Sequence, residues 1–199
     1  MGRLKGDIGP SAVHLCTDMQ GLFSSSGPWP TPWMERVLPV VIGIIERSPA
    51  RTIFTRFVPP RTPDSAHGKW QDYFKKWSNV TRDTLPADQI ELMPALRRFV
   101  PPALVFDKRT YSAFADGALH SFLRSKQVDT LIISGAETDV CVLSTVLAAV
   151  DLGYRVIVVD DAICSSSDES HDALLGLYRM RFDLQVELAG VEEICEQWR

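Results

Sequence analysis

The strongest constraint on this chain is an alternation. Short apolar runs rich in β-branched residues recur along it: "SAVHLCT" (11–17), "RTIFTRF" (51–57), "PALVFDK" (102–108), "DTLIISG" (129–135), "YRVIVVD" (154–160) and "DLQVELA" (183–189). Such runs read as buried strands. Helical patterns fill most of the gaps. They are "TPWMERVLPVVIGIIERS", with Thr31 expected as N-cap and Pro32 at the first helical position, "FADGALHSFLRSKQ", "DVCVLSTVLAAVDLG" ending at Gly153, and "SDESHDALLGLYRMRF". Strands alternating with helices predict an α/β fold: a three-layer sandwich with a six-stranded, mostly parallel, Rossmann-like sheet and helices on both faces.

At 199 residues, with no repeat, low-complexity tract or break in composition, the chain is expected to form one domain over 1–199. Residues 57–101 depart from the alternation. They carry Pro59, Pro60, Pro63, Pro86 and Pro94 and room only for short helices such as "GKWQDYFKKW". So long an irregular insertion is expected to serve specificity rather than to fill space.

Charge narrows the partners. A formal net charge of −4 argues against nucleic acid and against a polybasic membrane surface, which leaves small molecules. The most apolar stretch, "TLIISGAETDVCVLSTVLAAV", is interrupted by Glu137 and Asp139 and does not read as a membrane span. The start, "MGRLKGDIGPSAVHLCTDMQ", lacks the apolar core of a signal peptide, so the cytoplasm is the expected location. Cys16, Cys141, Cys164 and Cys195 stand far apart and are read as free thiols rather than a disulfide framework or a zinc site.

In an open parallel sheet, ligands bind beyond the carboxyl ends of the strands. Three polar residues stand at such ends: Asp18, Lys108 and Cys141. Cys141 falls in the first turn of the predicted helix within "GAETDVCVLSTVLAAVDLGY" (135–154), where unpaired N–H groups favour an anion and the thiol is expected to ionise readily. Singly, each has an ordinary reading, as a cap, a solvated loop residue and a small core hydrophobe. Together, an acid, an amine and a thiol can form a base, a charge partner and a nucleophile with no histidine.

On "TDMQGLF" (17–23), "FDKRTYSAF" (106–114) and "SGAETDVCVLSTVLAAVDLGYRVIVVDDAICSSS" (134–167), the chain resembles the isochorismatase-like cysteine hydrolase superfamily. That superfamily includes nicotinamidases, N-carbamoylsarcosine amidases, and ureidoacrylate and biuret hydrolases. The resemblance implies a catalytic triad of Asp18, Lys108 and Cys141, a cis peptide between Ala136 and Glu137, and an oxyanion hole from the backbone N–H groups of Glu137 and Cys141. It implies cleavage of a C–N bond in a small amide, ureido or carbamoyl compound through a thioester on Cys141, without a cofactor, in a homodimer or homotetramer. Two alternatives stand beside it: an isochorismatase-type vinyl ether hydrolase in which Cys141 is incidental, and a non-enzymatic binding subunit.

Where nicotinamidases place a D-x-H metal cluster, this chain reads "TRFVPPRTPDSAHGKW", so His67 is taken as a loop residue and no metal is expected. Gly21 and Leu22 precede Phe23 where the family often has Asn-Asp. Phe23, Arg56 and Trp70 are nominated for the substrate pocket, although Trp70 and Trp77 equally suit one face of a short helix, and Arg56 a structural ion pair. Ser167 with Asp168 and Glu169 is read as a helix start rather than a phosphate site. Cys16, Cys164 and Cys195 are assigned to packing.

Overall fold

A computed structural model describes residues 4–199; the first three residues of the domain and of the amino-terminal stretch lie outside the described residues. Six strands form one sheet: β1 Ala12–Thr17, β2 Thr52–Phe57, β3 Leu104–Lys108, β4 Thr130–Ala136, β5 Arg155–Cys164 and β6 Val186–Ala189. Every pairing is parallel, in the order β3-β2-β1-β4-β5-β6. The order reverses direction between β1 and β4, the place where an open sheet leaves a crevice at its carboxyl edge.

The helices are α1 Met34–Arg47, α2 Trp70–Lys76, α3 Ala87–Ile90, α4 Pro94–Arg97, α5 Ala118–Ser125, α6 Leu143–Asp151, α7 Asp168–Arg181 and α8 Val191–Gln197. The period-two alternation of the strands divides the core into two layers. Ala12, Cys16, Ile132 and Ile157 face a layer with Met34, Val41 and Ile44 of α1 and Ile194 of α8. Val13, Leu15, Leu131, Ile133, Val156 and Val158 face the other, against α5, α6 and α7 through Leu123, Val146 and Tyr178. Both faces are therefore covered, which is why the strands carry so few solvent-facing residues.

Several boundaries differ from the sequence expectation. α1 begins at Met34, not Pro32, because the Thr31 carbonyl, rather than its hydroxyl, takes the Met34 N–H at 3.0 Å and closes a turn first. Ser167 does cap α7, accepting the Ser170 N–H on its hydroxyl at 3.2 Å. β5 runs on to Cys164 past a register shift opposite Ile133 and Gly135. α8 was not anticipated; it returns the chain to α1, where Trp198 is fully buried and its carbonyl accepts from Arg47 Nε at 3.2 Å. Among the described residues no helix is long and apolar enough to cross a membrane.

Candidate active site

Three strand ends converge at the carboxyl edge. Thr17 of β1 pairs with Gly135 of β4, so the residues that follow each strand emerge side by side. The approach is so close that a Cβ built on Gly135, whose φ is +104°, would fall 2.0 Å from the Thr17 carbonyl oxygen. Only glycine fits there. Asp18 follows in a left-handed conformation at φ 50°, its N–H accepted by the hydroxyl of Thr55 at 3.2 Å. That hydroxyl donates in turn to Asp18 Oδ1 at 2.6 Å.

Lys108 reaches the same point from further away. It ends β3, two strands from β1, paired with Phe57 of β2. Its ammonium lies 5.2 Å from the Phe57 ring centre, 2.6 Å from Asp18 Oδ2, and donates to the Thr110 carbonyl at 3.0 Å. Among the described residues Oδ2 accepts no well-aligned hydrogen bond, so its contact with the ammonium is chiefly Coulombic. Both side chains are out of solvent, at 5% and 0% exposure, so the pair works in a low-dielectric setting where charge is strongly felt.

Cys141 closes the group. After a cis Ala136–Glu137 peptide the chain makes a π-helical turn, Thr138–Val142, in which the Glu137 carbonyl accepts from both Val140 and Val142. The cysteine sits in this wide turn and not in the first turn of α6. Its sulfur is within hydrogen-bonding reach of both Asp18 and Lys108. Burial, and then the Asp18 carboxylate, push the thiol well above its ordinary range, with Lys108 opposing them. That direction runs against the ready ionisation expected from a helix start. For Lys108, burial works against the charge, but Asp18, and then Cys141, outweigh it and the ammonium is held above its usual range.

A cavity of about 310 Å³ opens on Cys141. Phe23, Phe57, Trp29, Tyr73, Trp77 and Tyr111 line it, together with Glu137 and Ser166. Trp29 is the hub of the wall, with ring centres of Phe23, Tyr73 and Trp77 each 5.9 Å away. Of the three residues nominated for the pocket, Phe23 lines it. Trp70 stands behind, packed on Tyr111 with ring centres 4.8 Å apart. Arg56 is elsewhere: its guanidinium grips Asp107 at 2.8 Å and Glu91 at 2.7 Å. Three of its five N–H donors are committed to these carboxylates.

Sequence reasoning missed Gln20, which is buried and clamps the end of β2, donating to the carbonyls of Phe57 at 3.0 Å and Ile90 at 2.6 Å and accepting the Phe57 N–H at 2.7 Å. It also missed Trp29, Tyr73 and Tyr111 as wall residues. The available signal was positional, since Trp29 sits in "GPWP" after β1 and Tyr111 three residues beyond Lys108. Among the described residues no group of three or more His, Cys, Asp or Glu side chains is placed to hold a metal ion, and His67 is exposed in the insertion.

The chain has relatives with the same architecture. N-carbamoylsarcosine amidase of Arthrobacter sp is 32% identical over 160 residues, 77% of this chain and 59% of that protein. Nicotinamidase 3 of Arabidopsis thaliana is 29% identical over 167 residues, 82% of this chain and 78% of its own length. A cysteine hydrolase from Pseudomonas syringae pv. phaseolicola 1448A shares the fold with a TM-score of 0.83 at 21% identity, over 98% of this chain and 95% of that one. The chain spans 47% to 59% of the length of the first curated relatives it matches. The family model described as Isochorismatase domain covers residues 12–190. That match begins at the first residue of β1 and ends one residue past β6, so the whole sheet and every strand end that builds the site fall inside it, and the chain belongs to the isochorismatase family.

Proposed function

We propose that the protein is a cysteine hydrolase that cleaves a C–N bond of a small amide, ureido or carbamoyl compound through a thioester on Cys141. The observation that carries this reading is the buried Asp18–Lys108 pair, 2.6 Å apart and within reach of a sulfur that borders the cavity. The amidase names among the relatives support the bond type.

The chemistry follows from these positions. With substrate in the cavity, the Asp18 carboxylate takes the thiol proton and the sulfur attacks the carbonyl carbon. Lys108 keeps its proton throughout and offsets the charge as it passes from carboxylate to sulfur. The carbonyl oxygen becomes an oxyanion, which the backbone N–H groups of Glu137 and Cys141 receive. Collapse of the tetrahedral adduct breaks the C–N bond, and protonated Asp18 gives its proton to the departing nitrogen. Asp18, again a carboxylate, deprotonates a water that attacks the thioester carbonyl. The acid leaves, and the proton returns to sulfur. A high resting thiol suits this sequence, because the nucleophile forms only with a substrate present to exclude water. Residues 57–101, as the source of Tyr73 and Trp77, set which compound fits.

A screen of small amides, ureides and carbamoyl compounds for release of ammonia or amine tests the proposal, with Cys141→Ala as its control. Release should fall by about 10⁴ or more in the variant, as when a nucleophile is removed, while its thermal unfolding stays close to wild type. Turnover that survives Cys141→Ala, or activity confined to vinyl ethers, would refute a thioester route.

A further inference from the structure

The charge lining the cavity is one-sided. Among the described residues no lysine, arginine or histidine lines it, whereas Glu137 does, with its carboxyl group on the N–H of Ser166, another lining residue. Glu137 forms no ion pair among the described residues and accepts a single N–H, from Ser166 at 3.2 Å. The basic side chains close to the site are otherwise placed. Arg56 is held by two carboxylates, and Lys108 by Asp18. Arg82 and Arg109 line a separate cavity of about 540 Å³, which Lys108 borders and Cys141 does not.

The same cavity is lined by indole and phenol rings, whose quadrupoles attract cations and offer nothing to anions. Tyr73 is pushed up first by burial and then by Tyr111 and Glu137, and Tyr111 by burial, Cys141 and Glu137 against the opposing pull of Tyr73 and Lys108, so both rings favour the neutral form. One ring of the wall is already engaged by a cation, with the exposed Lys76 ammonium 5.6 Å from the Trp77 ring centre. Burial raises the Glu137 carboxyl, the Ser166 contacts oppose this, and Asp139 and Asp18 add to the rise. A positive charge is what is missing from this arrangement. It would offset the desolvation of the carboxylate, the repulsion from two acidic neighbours and the lack of a counter-ion together.

We infer that the substrate of this site is a small amide whose non-reacting part carries a positive charge, held by the Glu137 carboxylate against the aromatic wall. A substrate with a free carboxylate is rejected, because it would meet one like charge and six aromatic rings with no cation to receive it. The inference rests on the reading of the cavity as the substrate site of an amide hydrolase, and it fixes the class of amide.

Three probes of similar size separate the possibilities: the amide of trimethylglycine, its neutral isostere tert-butylacetamide, and the anionic malonamate. Binding is measured by calorimetry on Cys141→Ala, so that it does not depend on turnover. The cationic amide should bind at least about tenfold more tightly than the neutral isostere, with malonamate weakest. Glu137→Gln in the same background should bring the cationic and neutral probes to within about twofold of each other. Tyr111→Leu, which removes a ring beside Glu137 but keeps an apolar side chain, should lower the preference several-fold and so give a second reading should Glu137→Gln fail to fold. Equal or tighter binding of the neutral probe, tightest binding of malonamate, or no saturable binding of the cationic amide at millimolar concentration would each overturn the inference. The expected order of binding in a protein that hydrolyses none of the probes nor any other amide would instead overturn the proposed reaction and leave the inference standing.

Discussion

The two sides of the site are held in different ways. On one side, Lys108 ends β3, Asp18 follows β1 and Cys141 sits in the turn after β4, strands whose positions are set by backbone ladders, Thr17 opposite Gly135 and Phe57 opposite Lys108. Their places are set by backbone hydrogen bonds. On the other side, Tyr73 and Trp77 come from α2 and its end, inside a segment rich in proline, and they meet Trp29 by ring contact alone. The contrast teaches where each property is stored. Under the proposed function, reactivity would rest on the sheet, where a change is expensive, and selectivity on side-chain packing, where one ring can be exchanged for another.

Breaking the sheet side should have the largest effect. Lys108→Met keeps most of the stem but leaves Asp18, which is fully buried, without its cation, at an expected loss of about 3–5 kcal/mol in unfolding free energy. The thiol of Cys141 loses the one influence that lowers it, so its alkylation should need a pH more than about one unit higher than in wild type. Chemical denaturation and the pH profile of alkylation read the two effects; superimposable curves for wild type and variant would mean that Lys108 is a bystander.

A smaller effect comes from the middle of the sheet. His14 in β1 is fully buried between the hydroxyls of Ser134, at 2.7 Å, and Thr52, at 3.4 Å, and burial lowers it from 6.5 to about 3. Between those values the unfolded chain binds a proton that the folded chain refuses. Stability should thus fall as pH drops through 6.5, by about 1.4 kcal/mol per pH unit, and this contribution should level off near pH 3. His14→Gln should flatten that slope relative to wild type in urea titrations across the window. Parallel slopes would show that the histidine takes up its proton without unfolding.

The smallest effect is expected at the joint between the two sides. Arg56 of β2 ties Glu91 of the insertion to Asp107 of β3 through partly exposed groups. Such pairs are worth roughly 0–1 kcal/mol, so Arg56→Ala should shift the denaturation midpoint slightly and leave any preference among charged substrates where it was. A change in carboxylate binding on this substitution would bring Arg56 back as a substrate contact and blur the division drawn above.

The two sides were unequally legible in the sequence. Six runs of β-branched residues each became a strand, because a strand covered on both faces has little freedom in composition. The three polar residues at strand ends could be named because chain order and strand order place them on one edge. The wall was harder to read. Trp29 lies 44 residues from Tyr73 and 82 from Tyr111, and ring contacts over such separations leave no periodicity in sequence. Arg56 misled for a related reason: a guanidinium at a strand end looks available until Asp107 on the next strand and Glu91 from the insertion close on it. Proximity of Cys141 to a helix start can be counted in residues, whereas its burial beside Asp18, which pushes the thiol the other way, depends on the folded sheet.

Lys108 is the last residue of β3, and β3 is an outer strand that, among the described residues, has its one ladder with β2. Outer strands open locally at a lower free energy than the strands inside them. Opening of the end of β3 would carry the ammonium away and leave Asp18 and Cys141 behind. That would give two folded states, one of them without its cation. Under the proposed reaction, turnover would be the intrinsic rate multiplied by the fraction of molecules with β3 closed. Anything that lies along the outer edge of β3 and keeps it paired, including another protein chain, would raise that rate without touching the site.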